Sequence, residues 1–378
     1  MFRKGVIHTM KIICSKSSLL KSVSIALKAV PSKTTMPILE CILMDATTNQ
    51  IKFTTNDMEL GIETIVEGTI EEKGKVALDA KIFYEIIRRL PDNDVTIKTD
   101  DKYAATITCE KAKFNIPGKS GEDFAYLPMI EKDEPLTISQ YTLKEMIRQT
   151  IFSIAVNENN KLMTGELFEI KNNCLKVVSL DGHRISIRKM SLKKDYSDRK
   201  VVVPGKTLSE VSKILSGEVD DQVSIYFTKN HILFEFDQTM VVSRLIEGEY
   251  FRIDQMLSSD YETKVKVNKK EFLSCIDRAT LLVKEGDKKP IIVNITDSGM
   301  ELKINSALGS MNEEIDIQKQ GKDLMIGFNP KFLIDALRVI DDEEVDLYMV
   351  NPKAPCFIKN AEESYIYLIL PVNFTTVA

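Results

Sequence analysis

One repeat constrains the fold of this chain more than any other feature. Stretches with helical apolar spacing begin near residues 16, 142 and 269, and a second set begins near 79, 206 and 329. The step between copies is roughly 125 residues and the step within a copy roughly half that, and a fixed period of this kind marks a repeated structural unit. In the first copy Leu19, Leu20, Val23, Leu27 and Val30 share one helical side before Pro31, which cannot continue a helix. Asp79 is a good N-cap for the second helix, which ends before Pro91. Leu143, Met146, Ile147 and Ile151 repeat the pattern, as do Phe272, Cys275, Ile276, Ala279 and Leu282. Short apolar runs follow each helix and read as strands, among them Ile38–Asp45, Ile51–Thr55, Cys174–Ser179, Ile185–Met190 and Tyr365–Leu370. The chain therefore reads as an α+β protein of six helix-plus-strands units paired into three domains, 10–130, 131–260 and 261–378. Leu127–Pro135 and Leu257–Thr263 serve as linkers. The 1–9 segment ahead of Met10-Lys11-Ile12-Ile13 reads as a leader or upstream-start segment.

Charge is divided unevenly over this pattern. The six helical stretches hold fifteen Lys and Arg against seven Asp and Glu, a net of +8, whereas the whole chain is −5. Glu favours helices as much as Lys does, so propensity does not explain the asymmetry. A basic helical surface on an acidic body suits a polyanion bound without sequence preference.

Other classes are excluded by what is missing. No apolar run approaches the ~18 residues that span a bilayer, and the first nine residues lack the apolar stretch of a secretory signal. Cys14, Cys41, Cys109, Cys174, Cys275 and Cys356 are widely separated and read as reduced thiols of a cytoplasmic protein, with no metal site and no cofactor. There is no phosphate-cradling glycine loop and no nucleophile motif. Acidic clusters at Asp100-Asp101, Asp220-Asp221 and Asp341–Glu344 leave a metal-dependent nuclease as the enzymatic alternative. Their positions in expected turns favour plain solvated loops.

Asp181-Gly182 is a turn signal between two apolar-alternating runs, and the same corner carries His183 and Arg184. From the residues alone it is either a simple hairpin tip or the edge of a recognition site.

Taken in order, further segments resemble the bacterial sliding clamps, the beta subunits of DNA polymerase III. They are Met36-Pro37-Ile38-Leu39, Thr55 through Ile62, Leu90-Pro91, Phe114 through Pro128, Thr164 through Glu169, Asp181-Gly182-His183-Arg184, Val203-Pro204, Ser243 through Gly248, Ile326-Gly327-Phe328-Asn329-Pro330 and Tyr367 through Val372. The resemblance implies three DNA-clamp domains, each with two helices packed on antiparallel sheets. It implies a head-to-tail homodimer closing into a ring around duplex DNA, and a non-catalytic processivity role. Lys33, Arg88, Asn157, Lys161 and Lys206 fall at DNA-facing positions. Lys161 and Leu162 replace a pair that is aromatic in some members. Phe114 and Ile116 of one protomer would meet Leu281 and Leu282 of the other. A pocket for short peptides of the replicative polymerase, clamp loader and repair proteins is implied at Met163, Leu180, Gly182, His183, Arg184, Ile185, Met256, Leu368, Leu370 and Val372, edged by Asn329 and Phe332. By the same resemblance, Phe251 stands where a proline is frequent, Gln255 where an Arg can occur and Leu180 where a Thr can occur. A monomeric peptide-binding scaffold is the remaining alternative.

Overall fold

The structure is a computed structural model that describes residues 9–156, 160–257, 260–284 and 289–374. Six helices recur along them: α1 (Lys16–Ala26), α2 (Ala80–Arg89), α3 (Gln140–Arg148), α4 (Gly205–Ile214), α5 (Lys269–Thr280) and α6 (Pro330–Val339). One strand leads into each helix and three or four follow it. Short polar side chains start several of the helices, Asp79 among them as its sequence suggested. Asp79 accepts a hydrogen bond from the Ile82 N–H at 2.8 Å, Asn268 from that of Glu271 at 3.0 Å, and Asn329 from that of Lys331 at 3.0 Å. These satisfy N–H groups that the first helical turn leaves unpaired.

The doubled period has a structural cause. In every copy, the strand ahead of one helix pairs antiparallel with the first strand after the other helix. Lys11–Ser15 pairs with Asp94–Thr99, and Lys75–Asp79 pairs with Cys41–Asp45. Neither half completes its own sheet, so the smallest closed repeat contains two helices.

Contacts divide the chain into two compact units. One joins the chain up to Thr142 with Lys213–Leu245, and the other joins Leu143–Ser212 with the chain from Ile246 onward. The first unit holds a five-stranded sheet and a nine-stranded sheet, the latter continuous because Leu60–Val66 pairs with Thr239–Arg244. Met10, Ile12, Phe53, Phe83 and Ile97 are fully buried in its core. The second unit holds a nine-stranded and a four-stranded sheet, the larger made continuous by Arg184–Ser191 pairing with Tyr365–Ile369. The middle repeat thus contributes strands to both units.

Local chemistry trims two elements. The helix expected from near 142 through Ile151 stops at Arg148. The Thr150 hydroxyl donates back to the Met146 carbonyl at 2.7 Å, and Ile151–Ser153 tightens into a 3-10 turn. The strand expected from Ile38 begins at Cys41 instead, because Pro37 opens a 3-10 turn over Pro37–Glu40. Thr69–Glu72 and Gly118–Ser120 are short strands with little apolar alternation, and the sequence pattern does not reveal them. All six cysteines are free thiols. Burial pushes those of Cys14, Cys275 and Cys356 up to about 12, so they stay protonated and unreactive.

Candidate functional site

The Cys174–Leu180 and Arg184–Ser191 strands form a hairpin, and the corner between them is built for its shape. One Asp181 carboxylate oxygen accepts the His183 and Arg184 N–H groups at 3.0 and 3.2 Å, closing an Asx-type turn. Gly182 sits at φ +85°, with nothing within 4 Å of where a β-carbon would stand. Its glycine is required by backbone conformation and not by space.

Arg184 ties this corner to the rest of the unit. It is only 8% exposed, yet all three of its nitrogens have partners. Nε donates to Asp181 at 3.0 Å, Nη1 to Asp335 of α6 at 2.6 Å, and Nη2 to the Phe152 carbonyl at 2.6 Å. The guanidinium lies 4.4 Å above the Phe332 ring centre, and the same ring stacks on His183 at 6.0 Å. A buried cation held by two carboxylates and an aromatic face is a stiff, satisfied element.

On the outer side of the hairpin, the surface becomes an apolar cleft of about 480 Å³. Leu180, Ile185 and Leu368 form its base and belong to one hydrophobic cluster with Tyr250, Ile253 and Phe357. These side chains share a sheet face because Leu180 is paired with Ile185, Ile185 with Leu368, and Leu368 with Phe357 across successive strands. Met163, Phe251, Met256, Pro355 and Leu370 complete the walls, with Gly182, His183 and Arg184 at the corner. Met256 and Leu370 are exposed at the rim. The Leu370 N–H donates to the His183 carbonyl at 2.9 Å, which holds the chain's last described segment beside the turn. Flexible methionines and aliphatic walls fit apolar side-chain anchors.

Of the residues named for this pocket, Met163, Leu180, Gly182, His183, Arg184, Ile185, Met256, Leu368 and Leu370 line one cavity. Three others stand behind or beside it. Asn329 caps α6, Phe332 supports His183 and Arg184, and the Val372 N–H donates to Gly327 at 2.8 Å. Phe251 and Pro355 were absent from that set. Phe251 had drawn notice only as an unusual residue, and Pro355 gives no sequence signal because a turn brings it in.

The remaining named residues lie elsewhere. Phe114 is exposed on Ala112–Ile116, an outermost strand of its sheet, and faces a second apolar cavity of about 330 Å³ with Ile82, Ile86, Lys81, Glu85 and Arg89. Ile116 packs partly into the core of its own unit. Leu281, just after α5, is 78% exposed, while Leu282 packs partly against the core. Lys33, Lys161 and Lys206 are exposed, and Arg88 is ion-paired with Glu85 at 2.8 Å. Asn157 lies outside the described residues. No cluster of three or more His, Cys, Asp or Glu able to hold a metal occurs among the described residues. Asp100 spends its carboxylate on the N–H groups of Lys102 and Ala104, and Asp341 pairs with Arg148.

The family models for the DNA polymerase III beta subunit match in series. The N-terminal domain matches residues 10–128, the central domain 137–251 and the C-terminal domain 254–373. The chain belongs to the bacterial sliding-clamp family. A beta sliding clamp of Staphylococcus aureus is 33% identical over 358 residues, covering 92% of this chain and 95% of that protein. A crystal structure of a putative DNA polymerase III beta subunit from Eubacterium rectale superposes with a TM-score of 0.94 at 72% identity, covering 97% of this chain and all of that one. The Bacillus subtilis sliding clamp gives 0.93 at 34% identity with the same coverage. The three repeats are three clamp domains, and the protein is a non-catalytic processivity clamp. These relatives support the clamp reading, and none supports the nuclease alternative.

Proposed function

We propose that two copies of this clamp join head to tail into a closed ring on duplex DNA, and that the cleft at the 181–184 turn tethers partner proteins. The ring is supported by two matched, incomplete surfaces. Ala112–Ile116 and Gly309–Ile315 each end a sheet with one edge unpaired, and each has exposed apolar side chains nearby, Phe114 and Ile82 on one side and Leu281 on the other. An unpaired strand edge is a template for pairing with another chain. A head-to-tail contact that closes on two protomers gives a ring with two like interfaces. The helices supply the basic surface toward DNA, with Lys33, Arg88, Asn157, Lys161 and Lys206 as phosphate contacts. A ring held by topology needs only loose, sequence-blind contacts.

The observation that carries the tethering role is the apolar cleft of about 480 Å³ backed by the Arg184 network. Its occupants are short peptide segments with large apolar anchors, borne by the replicative polymerase, the clamp loader and repair proteins. No described helix is long and apolar enough to cross a membrane, and DNA as partner puts the working site in the cytoplasm.

Retention on DNA tests the ring. After loading by a cognate clamp loader, the clamp stays on circular DNA and is lost when that DNA is linearised. Equal retention on both forms would refute encirclement. A purely monomeric mass by light scattering at micromolar protein would favour the monomeric scaffold.

A further inference from the structure

Beyond Leu370 the chain does not simply end at the cleft. Leu370, Val372 and Phe374 alternate along an extended segment and make three successive attachments. The Leu370 N–H donates to the His183 carbonyl at 2.9 Å, and the Val372 N–H donates to the Gly327 carbonyl at 2.8 Å. The Phe374 ring then lies directly on Gly327. A β-carbon at position 327 would stand 2.7 Å from Phe374 Cδ1 and 2.8 Å from the Val372 carbonyl oxygen. Such distances are shorter than real carbon contacts, so only glycine leaves the notch open. The strand bearing Gly327, Leu324–Phe328, ends its four-stranded sheet, and the tail covers that unpaired edge.

Gly327 also lies two residues before Asn329, which caps α6. That helix carries Phe332, stacked on His183, and Asp335, bonded to Arg184. The tail therefore closes a loop of contacts: turn, tail, Leu324–Phe328 strand, α6 and back to the turn. Within that loop only Leu370 turns an exposed apolar side chain, 37% accessible, into the cleft.

We propose that Phe374 on Gly327 is a latch that positions Leu370, and through it the rim of the cleft, for partner peptides. Phe374 is a positioning residue here and touches no ligand. With the latch closed, Leu370 is held in place before a partner arrives, and less ordering remains to be done on binding. With it open, the segment after Ile369 keeps its backbone bonds to His183 and Gly327 but loses the ring contact that anchors its end. The peptide role rests on the reading of the cleft given above.

The test uses the full-length clamp, a fluorescein-labelled pentapeptide with leucine and phenylalanine anchors, and amide hydrogen exchange. Phe374→Ala should speed exchange at Leu370 and Val372 and weaken peptide binding by roughly three- to tenfold, the effect of about 1 kcal/mol. Phe374→Leu should restore most of both. Gly327→Ala should loosen the same amides, and adding Phe374→Ala to it should cost little more, because both changes open one latch. Melting temperature and dimer mass should stay at parental values in Phe374→Ala. Unchanged exchange at Leu370 in Phe374→Ala overturns the latch, as does full additivity of the two substitutions. Faster exchange with unchanged peptide affinity overturns its positioning role. Failure of the parent clamp itself to bind the peptide would defeat the cleft reading instead, and exchange at Leu370 would still decide the latch.

Discussion

Two apolar cavities of this clamp differ in what stands behind them. The strands under the cleft at the 181–184 turn are paired on both sides: Cys174–Leu180 with Gly165–Lys171 and Arg184–Ser191, and Arg184–Ser191 with Tyr365–Ile369. Their backbone is spoken for, so the cleft offers side chains to its ligand. The cavity at Phe114 lies beside Ala112–Ile116, whose backbone, among the described residues, is paired only with Ala105–Cys109. A closed sheet face with a stiff buried arginine suits short peptides that exchange. An open strand edge with an apolar hollow suits a lasting contact that extends a sheet through a second protein. The same fold thus presents two kinds of hydrophobic surface, told apart by their unused hydrogen-bonding groups.

The largest expected effect breaks the second of these surfaces. Phe114→Asp should convert the proposed dimer to a monomer at micromolar protein, since a central apolar anchor is worth about 2–4 kcal/mol and the proposed ring has two such interfaces. Sedimentation velocity reads the outcome, and an intact dimer would remove Phe114 from the interface. Phe114 is exposed, so the variant should still fold.

Next comes the cleft's support. Arg184→Ala leaves Asp181 and Asp335 without their shared cation and should destabilise by about 3–5 kcal/mol, as breaking a buried charge pair does. Peptide binding should fall with it. Asp335→Asn keeps a hydrogen-bond acceptor and should cost less on both counts. If urea melts of Arg184→Ala match the parent, the network does not stiffen the cleft.

At the rim the effect shrinks. Leu370→Ala should weaken the pentapeptide roughly fivefold, on the order of 1 kcal/mol, because half-exposed side chains lose less than buried ones. Calorimetry showing parental affinity would exclude Leu370 from the contact.

The smallest effect concerns a carboxyl that lines neither cavity. Glu166 is completely buried, and neither of its oxygens has a hydrogen-bond partner. It faces Thr150, whose hydroxyl is already donated to Met146, and the phenol of Tyr250 is within electrostatic reach. Burial raises its pKa well above the ordinary carboxylate value. The native state therefore holds a proton that the unfolded chain releases near pH 4.3. Its stabilising share is complete below that pH and is lost as pH rises toward the raised native value. Glu166→Gln does not titrate, so its melting temperature should gain on the parent from pH 5 to pH 8. A constant gap across that range would show that Glu166 is not buried as a neutral acid.

Much of this was legible in the chain itself. The helix start at Asp79 follows from capping chemistry, which acts within three residues, and the same rule accounts for the caps the structure shows at Asn268 and Asn329. The repeat, the charge split and the 181–184 turn are local or periodic, and so survive in a linear reading. At that turn the geometry is a tight hairpin and the flanking residues line the cleft, which is what the proposed recognition role rests on. Other features depend on chain segments distant in sequence. Pro355 enters the cleft wall, Arg184 finds Asp335 some 151 residues away, and Phe374 selects glycine at 327. Short-range propensity and periodicity determined which elements form. The exchange of strands between half-repeats, and with it the meeting of the hairpin, the last strand and α6, was decided only in tertiary structure, because hydrogen bonds and packing across a sheet carry no trace in neighbouring residues.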